Sequence, residues 1–374
     1  MENRKRIKYL LVTDIPAPWR EKVYEIVYSI LGPDFHVVYC NSNEKRRLWE
    51  FPLGSHPKTF LKAITISIGN TKENYVNWEI IPFMVRKRPD VVICFSLNPT
   101  IFMVFAIAKL LKTKIIVFAD TWLGRDRGLS LLQKWARMLA YGVVPDAYLG
   151  ASIQTLNMYR YYNKNIDDKS LFISSLCADN DYFMKYLDSK SITKKYDIMF
   201  SGRIVASKNP LFFAEVAVKI KEKLGRCRVL IIGDGDEKLK TAMFQIFLKH
   251  GIDYDFPGFI KHNELPEYYS QSRMLLLPTS GDCWGVVINE AFISGVPVIA
   301  TNMTAAAGEF VLDGRNGYIL PLDSELWVEK IVSLLSDSKK LHQFSEAAKE
   351  TAMGFNFEKA AEGIIHAIEY VEKK

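Results

Sequence analysis

Cysteine and histidine are scarce in this sequence of 374 residues, which holds five and six of them. The cysteines are scattered and odd in number, and Cys40, Cys94 and Cys227 lie in or beside apolar runs. We therefore expect buried free thiols in a reducing cytosol, and not a disulfide framework. No C-x-x-C motif or histidine-rich cluster indicates a metal site, so neither a metal nor another cofactor is expected.

Long hydrophobic runs are also missing. The apolar run after the basic N-terminal residues stops at Asp14 and is too short for a signal peptide. The nearest candidate for a membrane span starts at Pro99 and is broken by Lys109 and Lys112, so it is predicted to be a buried helix. The sequence thus predicts a cytoplasmic protein.

The chain is long, and its charge is divided unequally between its two halves. It is longer than one hydrophobic core normally supports, and 49% of its residues are apolar, so two domains are expected. Residues 1–190 hold 27 of the 49 Lys and Arg but 18 of the 42 Asp and Glu, which leaves 22 against 24 for residues 191–374. The net positive charge therefore belongs to the N-terminal half. It suits a membrane surface, a phospholipid-linked acceptor or nucleic acid, or it is ordinary solubility charge.

Strand-like and helix-like segments alternate in both halves, which predicts an α/β fold. A polar run at 187–195 has the composition of a linker, so we expect one domain at 1–190, a second at 191–355 and a last helix at 356–374. The predicted strands are 8–14, 35–40, 90–95, 114–119, 146–150, 196–201, 228–232, 274–277 and 297–300, and predicted helices include 21–31, 130–141, 210–224, 236–249 and 286–294.

The segment from Asp282 to Glu290 carries the most informative functional signal. Gly285 allows the backbone to approach a ligand, and the N–H groups of Val286 and Val287 lie at a predicted helix start, which suits phosphate. Asp282 lies in the loop, whereas Glu290 lies in the first turns of the helix and can accept hydrogen bonds from two vicinal hydroxyls. An anion cradle between two such carboxylates suits a nucleotide sugar; the alternative is a strand–loop–helix unit with surface acids.

A second cluster places cations at the end of the predicted strand 196–201. Gly202 is followed by Arg203 and Lys208 in one loop. A guanidinium fork and a mobile ammonium suit a diphosphate, although both cations can also be solvated loop residues. Their position at the carboxyl end of a strand favours the ligand interpretation.

The glycines Gly233 and Gly235 follow the next predicted strand, 228–232. They do not form a dinucleotide fingerprint, because Lys238 stands where the third glycine is needed. We interpret them as a sharp strand-to-helix turn that lines the predicted ligand site, or that serves the turn alone.

In this order, the motifs resemble the retaining glycosyltransferases of family 4, which have the GT-B fold. The pattern is Gly-Arg-x(4)-Lys, a strand ending in Gly-Asp-Gly, Phe-x-Gly-Phe at 256–259 and acid-x(7)-Glu, and it covers residues 195–320. The resemblance implies two Rossmann-like doubly wound domains that face each other across a cleft, with the last helix packed back on the first domain. It also implies a nucleoside-diphosphate-sugar donor, no obligatory metal and transfer with retention at the anomeric carbon.

The resemblance also assigns roles to residues of the second domain. Glu290 would hold the ribose hydroxyls, and Asp282, where the family usually has the longer Glu, would hold sugar hydroxyls. The pyrophosphate would contact Arg203 and Lys208, and the base would contact the backbone near Phe259 and Ile260.

The first domain is expected to bind the acceptor. Asp120 follows the predicted strand 114–119, near the place where the family often has a histidine that contacts the transferred sugar. Its carboxylate can accept a hydroxyl hydrogen bond or stabilise positive charge on the anomeric carbon, or it can cap the next turn.

The predicted helix 130–141 is amphipathic and has basic flanks. Such a helix can lie on a lipid surface, but core packing is the commoner explanation and is the one we favour. The residues that define it are Leu131, Leu132, Lys134, Trp135, Arg137, Met138 and Leu139.

Together with the charge of the N-terminal half, the resemblance therefore implies a retaining glycosyltransferase that moves a sugar from a UDP or GDP sugar to a lipid-linked or polysaccharide acceptor in cell-surface glycan synthesis. We expect peripheral association with the inner face of the plasma membrane through the basic N-terminal domain, and no nucleic acid partner. The alternatives are a nucleotide-sugar epimerase on the same fold and a non-enzymatic protein that binds anionic membranes. The paired acids and cations of the second half argue against a non-enzymatic protein.

Overall fold

A computed structural model describes residues 7–44, 51–66, 73–126 and 129–374. It divides into two compact units. Unit 1 comprises Met1–Leu176 and Phe357–Lys374, and unit 2 comprises Cys177–Asn356.

Unit 1 is built on a seven-stranded parallel sheet in the order β3-β2-β1-β6-β7-β8-β9, and β4 and β5 form a separate antiparallel pair. The central strands are apolar and buried along their length, as expected for a parallel sheet covered on both faces. The strands are β1 Tyr9–Thr13, β2 Phe35–Tyr39, β3 Lys58–Phe60, β4 Ile64–Ile66, β5 Asn74–Val76, β6 Val91–Phe95, β7 Lys114–Ala119, β8 Ala147–Gly150 and β9 Leu171–Ile173.

Helices cover the sheet of unit 1, and the last helix of the chain is one of them. A Cβ atom on Gly363 would lie 1.7 Å from the carbonyl oxygen of Ile173, so a glycine is needed where this helix approaches β9. At its end, the Tyr9 hydroxyl donates to Glu372 at 2.8 Å. The helices of unit 1 are α1 Pro18–Leu31, α2 Ile80–Lys87, α3 Pro99–Leu111, α4 Leu131–Arg137, α5 Ile153–Tyr162 and, from the end of the chain, α13 Phe357–Glu372.

Unit 2 has a six-stranded parallel sheet in the order β12-β11-β10-β13-β14-β15, which is the strand order of a doubly wound Rossmann fold. Its strands are β10 Ile198–Ser201, β11 Arg228–Ile232, β12 Asp253–Gly258, β13 Leu275–Leu277, β14 Val298–Ala300 and β15 Gly317–Ile319. Its helices are α6 Asn180–Asp188, α7 Pro210–Leu224, α8 Glu237–His250, α9 Leu265–Ser270, α10 Val286–Ile293, α11 Ser324–Ser336 and α12 Ser338–Met353.

The division between the units lies at 176/177, whereas the sequence placed it at 190/191. The reason is α6, whose Phe183 is completely buried and whose Asn180 amide donates to the carbonyl of Ala352 at 3.0 Å. The polar run 187–195 therefore follows a helix that already belongs to unit 2, and it does not separate the two units.

The amphipathic helix is exposed, so the prediction that its stripe packs in the core was wrong. Leu131, Leu132 and Trp135 are 77%, 79% and 69% exposed. After α4 the chain continues as a π-helical turn, Met138–Val143, which buries Ala140 and Tyr141. The inward side of this segment is formed by Ala140, Tyr141 and Val144, whereas Met138, Leu139 and Val143 stay exposed like the residues of α4. The apolar stripe therefore lies on the side of the segment that faces away from the core.

The described cysteines carry free thiols, as predicted. Cys40, Cys94, Cys177 and Cys227 are buried, and Cys283 is half-buried. Within the described ranges, none of the helices combines the length and the apolar character needed to span a bilayer.

Candidate functional site

The residues singled out in the second half of the sequence meet at the carboxyl edge of the unit 2 sheet. There, β10 and β13 are neighbours although they are far apart in the chain, and the strand order reverses between them. The crevice at such a reversal is where open α/β sheets bind ligands. The two loops involved, 202–209 after β10 and 278–285 after β13, define what we call the switch-point site.

Hydrogen bonds to backbone carbonyls hold these two loops together. The carbonyl of Ser207 accepts hydrogen bonds from the Ser280 N–H at 2.8 Å and the Thr279 hydroxyl at 3.1 Å. The Asn209 amide donates to the carbonyl of Pro278 at 2.6 Å. The loops therefore present their side chains from one connected platform.

Lys208 and Asp282 form an ion pair on this platform, through Nζ and Oδ2. Their side chains are 16% and 18% exposed, so the pair is largely shielded from water. The Asp282 N–H also donates to the carbonyl of Met303 at 2.8 Å, which fixes the loop that carries the carboxylate. The sequence predicted both residues as ligand contacts but did not predict that they pair with each other.

Arg203 is exposed and lies in the same loop, next to the Gly-Asp-Gly turn after β11. A Cβ atom on Gly233 would lie 2.0 Å from the carbonyl oxygen of Gly202, and one on Gly235 would lie 2.2 Å from that of Ile204. These glycines are thus needed for the close contact between the loop of Arg203 and the turn. This contact gives the turn a role in shaping the site.

The helix that follows this turn, α8, begins with a side-chain cap. The Asp236 carboxylate accepts hydrogen bonds from the N–H groups of Lys238 and Leu239 at 2.9 and 3.0 Å. Two of the N–H groups at this helix start are therefore already bonded. The sequence analysis did not identify this cap.

The segment after β12 lies beside the same turn, because the Gly233 N–H donates to the carbonyl of Gly258 at 2.8 Å. Of the two residues predicted to contact a base, Phe259 is 44% exposed and Ile260 is buried.

Helix α10 starts at the switch-point site with Gly285 as its N-cap. Gly285 has φ +87° and no side chain to cap the helix, and the following Val286 and Val287 are half-buried. The first N–H groups of α10 therefore meet no cap from their own N-cap residue, in contrast to α8.

Glu290 is buried in α10 and is joined to β10 through a residue that the sequence analysis missed. The hydroxyl of Tyr269, in α9, lies 2.6 Å from Glu290 Oε2 and 2.7 Å from Ser201 Oγ. Ser201 is the last residue of β10, directly before Gly202 and Arg203. The structure thus brings Glu290 to the strand end that carries the predicted diphosphate ligands.

Burial raises the pKa of Glu290, while nearby His262 and the Tyr269 hydroxyl lower it, and the net shift is upward. The pKa of Tyr269 is raised well above its usual value by burial and by Glu290. Tyr269 therefore stays protonated and serves as the hydrogen-bond donor to the carboxylate.

Asp120 follows β7 in unit 1, whereas the other predicted site residues belong to unit 2. Unit 1 has its own reversal of strand order, between β1 and β6. There, the Asn98 amide donates to Asp14 at 2.6 Å, and Asn98 also caps α3 by accepting from Ile101 N–H. Sequence analysis did not identify Asn98, which has the type and position of an ordinary N-cap.

The switch-point site combines cations, carboxylates and an uncapped helix start, which can together hold a phosphorylated, hydroxyl-rich ligand. No group of three or more His, Cys, Asp or Glu side chains in the described part of the chain is arranged to hold a metal ion.

Comparisons with known proteins agree with this geometry. Residues 186–351 match the family described as Glycosyl transferases group 1. The chain is 26% identical over 306 residues to sulfoquinovosyl transferase SQD2 of Arabidopsis thaliana, a match that covers 75% of this chain and 56% of that protein. It spans about half the length of the curated relatives it matches.

Solved structures show the same fold at low identity. The crystal structure of Anabaena HepE in complex with UDP-glucose has a TM-score of 0.73 at 13% identity and covers 99% of this chain and 100% of its own. WaaG, a glycosyltransferase involved in lipopolysaccharide biosynthesis, has a TM-score of 0.66 at 13% identity and covers 95% and 97%. The chain thus shares the GT-B fold of these structures, and its residues 186–351 are similar to the glycosyl transferases of group 1.

Proposed function

We propose that this protein transfers a sugar from a nucleoside-diphosphate sugar to a lipid-linked or polysaccharide acceptor in cell-surface glycan synthesis, with retention at the anomeric carbon. The observation that carries the proposal is the convergence of the Lys208–Asp282 pair, the start of α10 and the buried Glu290 at one strand-order reversal. UDP sugars are the first donors to test, because the neighbouring HepE structure is a complex with UDP-glucose.

In this proposal, the donor binds mainly to unit 2. Glu290 accepts hydrogen bonds from the ribose hydroxyls, and Asp282 accepts them from the sugar. Arg203, Lys208 and the first N–H groups of α10 stabilise the charge that builds on the departing diphosphate. Lys208 then exchanges Asp282 for a phosphate oxygen when the donor binds.

The proposed transfer needs no nucleophilic side chain. The bond between the anomeric carbon and the diphosphate oxygen breaks, and the acceptor oxygen forms its bond on the same face. The acceptor proton passes to an oxygen of the leaving diphosphate. Unit 1 supplies the acceptor contacts, and Asp120 hydrogen-bonds the sugar or stabilises positive charge at the anomeric carbon.

The first experiment is a thermal-shift panel of UDP, GDP and ADP sugars, because a ligand that binds the folded state raises the unfolding temperature. NMR of the products then separates the reactions. A glycosyltransferase consumes donor only with an acceptor and retains the anomeric configuration, whereas an epimerase changes the sugar of the donor alone.

A matched pair of variants tests the site. We expect Arg203→Ala to lower turnover by about a hundredfold, the usual scale for a group that stabilises transition-state charge. Arg226→Ala is the control, because Arg226 is also an exposed arginine of unit 2 but precedes β11 at the amino edge of the same sheet. Transfer at the parent rate by Arg203→Ala would refute the site assignment.

Peripheral association with an anionic membrane is the second part of the proposal. The α4 segment 131–143 exposes six large apolar side chains. It belongs to the basic half of the sequence, residues 1–190, which hold 27 Lys and Arg against 18 Asp and Glu, although its own Arg137 is paired with Asp126 at 2.6 Å. Apolar side chains within basic surroundings suit the interface of an anionic bilayer. The exposed residues are Leu131, Leu132, Trp135, Met138, Leu139 and Val143.

Vesicle sedimentation tests this part without any need for sugar transfer. We expect binding to phosphatidylglycerol-containing vesicles that is weakened by salt and by the double substitution Leu132→Ser with Trp135→Ser. Leu248→Ser is the control, because Leu248 is an apolar residue of α8 that is also 72% exposed. Equal vesicle binding by the parent and the double variant would refute the proposed membrane surface. A concentration-dependent dimer that the double substitution abolishes would also refute it, because the apolar side chains would then contact a second copy of the protein.

A further inference from the structure

Tyr269 has a fixed position at the switch-point site. Its side chain is completely buried in unit 2. Its ring packs edge-on against Phe183 of α6, with centroids 6.4 Å apart. Because the ring is held on all sides, its hydroxyl has a defined place between Ser201 and Glu290.

This hydroxyl has one proton and two neighbours. It lies 2.6 Å from Glu290 Oε2 and 2.7 Å from Ser201 Oγ, and both distances are those of strong O–H···O hydrogen bonds. A carboxylate only accepts, so Tyr269 donates to Glu290 and accepts from the Ser201 hydroxyl. The proton of Tyr269 is therefore directed at Glu290.

The donated bond affects what Glu290 can do. Burial disfavours the ionised carboxylate, whereas the Tyr269 bond favours it. The same bond fixes one carboxylate oxygen, and hence the orientation of the other, relative to the start of α10. An ionised and oriented carboxylate is a better acceptor for two vicinal hydroxyls than a neutral or mobile one.

We propose that Tyr269 is a positioning residue for donor binding, which holds Glu290 in the orientation and charge state that accept the donor hydroxyls. This inference rests on the proposed function, because Glu290 has its donor contact only there. Tyr269 acts through Glu290 and has no contact of its own with the reacting atoms.

Tyr269→Phe removes the hydroxyl and keeps the ring that fills the core. We expect it to raise the KM for the UDP sugar by about tenfold to a hundredfold, the scale of a lost hydrogen bond to a charged group, with kcat within a few-fold of the parent. Tyr196→Phe is the matched control, because the Tyr196 hydroxyl also donates to a carboxylate at 2.6 Å, that of Asp255. Tyr196 precedes β10, at the opposite edge of the same sheet, so its donor KM should stay at the parent value.

A second measurement needs no donor. The carboxyl carbon of Glu290, labelled with carbon-13 and identified by its loss in Glu290→Gln, reports the titration of this group by NMR. We expect its midpoint to move to higher pH in Tyr269→Phe and to stay in place in Tyr196→Phe, because only Tyr269→Phe removes a bond that favours the ionised form.

The two measurements separate the inference from the proposed function. If the midpoint moves but no nucleoside-diphosphate sugar binds the parent protein, the proposed function fails and the effect of Tyr269 on Glu290 stands. If the folded Tyr269→Phe protein keeps the parent donor KM and the parent titration midpoint, Tyr269 only fills the core and the inference is overturned.

Discussion

Replacing Lys208 by methionine tests whether Lys208 contacts the donor directly or only orients Asp282. Methionine keeps most of the side-chain length but removes the charge. Because the Lys208–Asp282 pair is largely shielded from water, its loss should cost about 1–3 kcal/mol in the free energy of unfolding. If the ammonium also stabilises the leaving diphosphate, kcat should fall by about a hundredfold, or about 2.7 kcal/mol.

The deciding comparison repeats this change in an Asp282→Asn background, with steady-state turnover of the donor identified by the panel. A direct contact between Lys208 and the diphosphate predicts a similar loss of kcat in both backgrounds. If Lys208 only orients Asp282, Lys208→Met should cause no further loss of kcat in the Asp282→Asn background, because the carboxylate that it orients is already absent. Urea denaturation of the four proteins gives the coupling free energy of the pair. Lys219→Met, which breaks ion pairs of 3.0 and 2.9 Å to Glu215 and Glu325 at the surface of unit 2, should leave turnover unchanged.

Two further predictions concern pH and backbone. Burial raises the pKa of Glu290 above the ordinary 4.5, so the folded protein favours the protonated carboxyl. The stability that this preference contributes is fully present below pH 4.5 and is lost as the pH rises through the raised pKa. Glu290→Gln, which cannot ionise, should therefore raise the Tm at neutral pH and lose this advantage in acid. It should also weaken donor binding. A difference in Tm between variant and parent that stays constant with pH in calorimetry would contradict this. Gly233→Ala should cost about 1–3 kcal/mol and most of the activity, because its Cβ meets the Gly202 carbonyl at 2.0 Å. Gly225→Ala is the control, because Gly225 also has a positive φ, +75° against +120° for Gly233, but open space around its Cβ position. We expect chemical denaturation to show a loss of about 1 kcal/mol in its free energy of unfolding, with unchanged activity.

Much of the fold could be predicted from the sequence, because buried parallel strands leave a local signal. The apolar runs at 228–232 and 114–119 coincide with β11 and β7, and the predicted helix 210–224 coincides with α7. Pro210 marks the start of this helix, where its missing N–H is not needed. Strands such as β3 and β9 were missed, because three residues carry too little periodicity.

The sequence predicted only those residues of the candidate site that belong to a recognisable motif. Glu290 and Lys208 stand at recognisable spacings, but the pairing of Lys208 with Asp282 joins residues 74 positions apart. Tyr269 had no signal at all, because nothing near it in the sequence shows that its hydroxyl meets Glu290 and Ser201. Such contacts depend on how helices pack on the sheet, which a single sequence does not encode locally.

The exposed α4 segment shows a different limit. Hydrophobic periodicity identifies an apolar stripe but not what covers it, so the common explanation, a core face, was preferred. The residues of this segment that do face inward, Ala140, Tyr141 and Val144, lie outside the stripe that the pattern identifies.

The position of α13 has a consequence for how this protein is made. Unit 1 is closed by residues 357–374, which the ribosome adds only after all of unit 2. Unit 2 is continuous in the chain and can complete its structure during synthesis, while the earlier residues wait for a helix whose Gly363 contacts Ile173. A stop codon placed before Phe357 should therefore destabilise unit 1, although most of that unit is translated before unit 2.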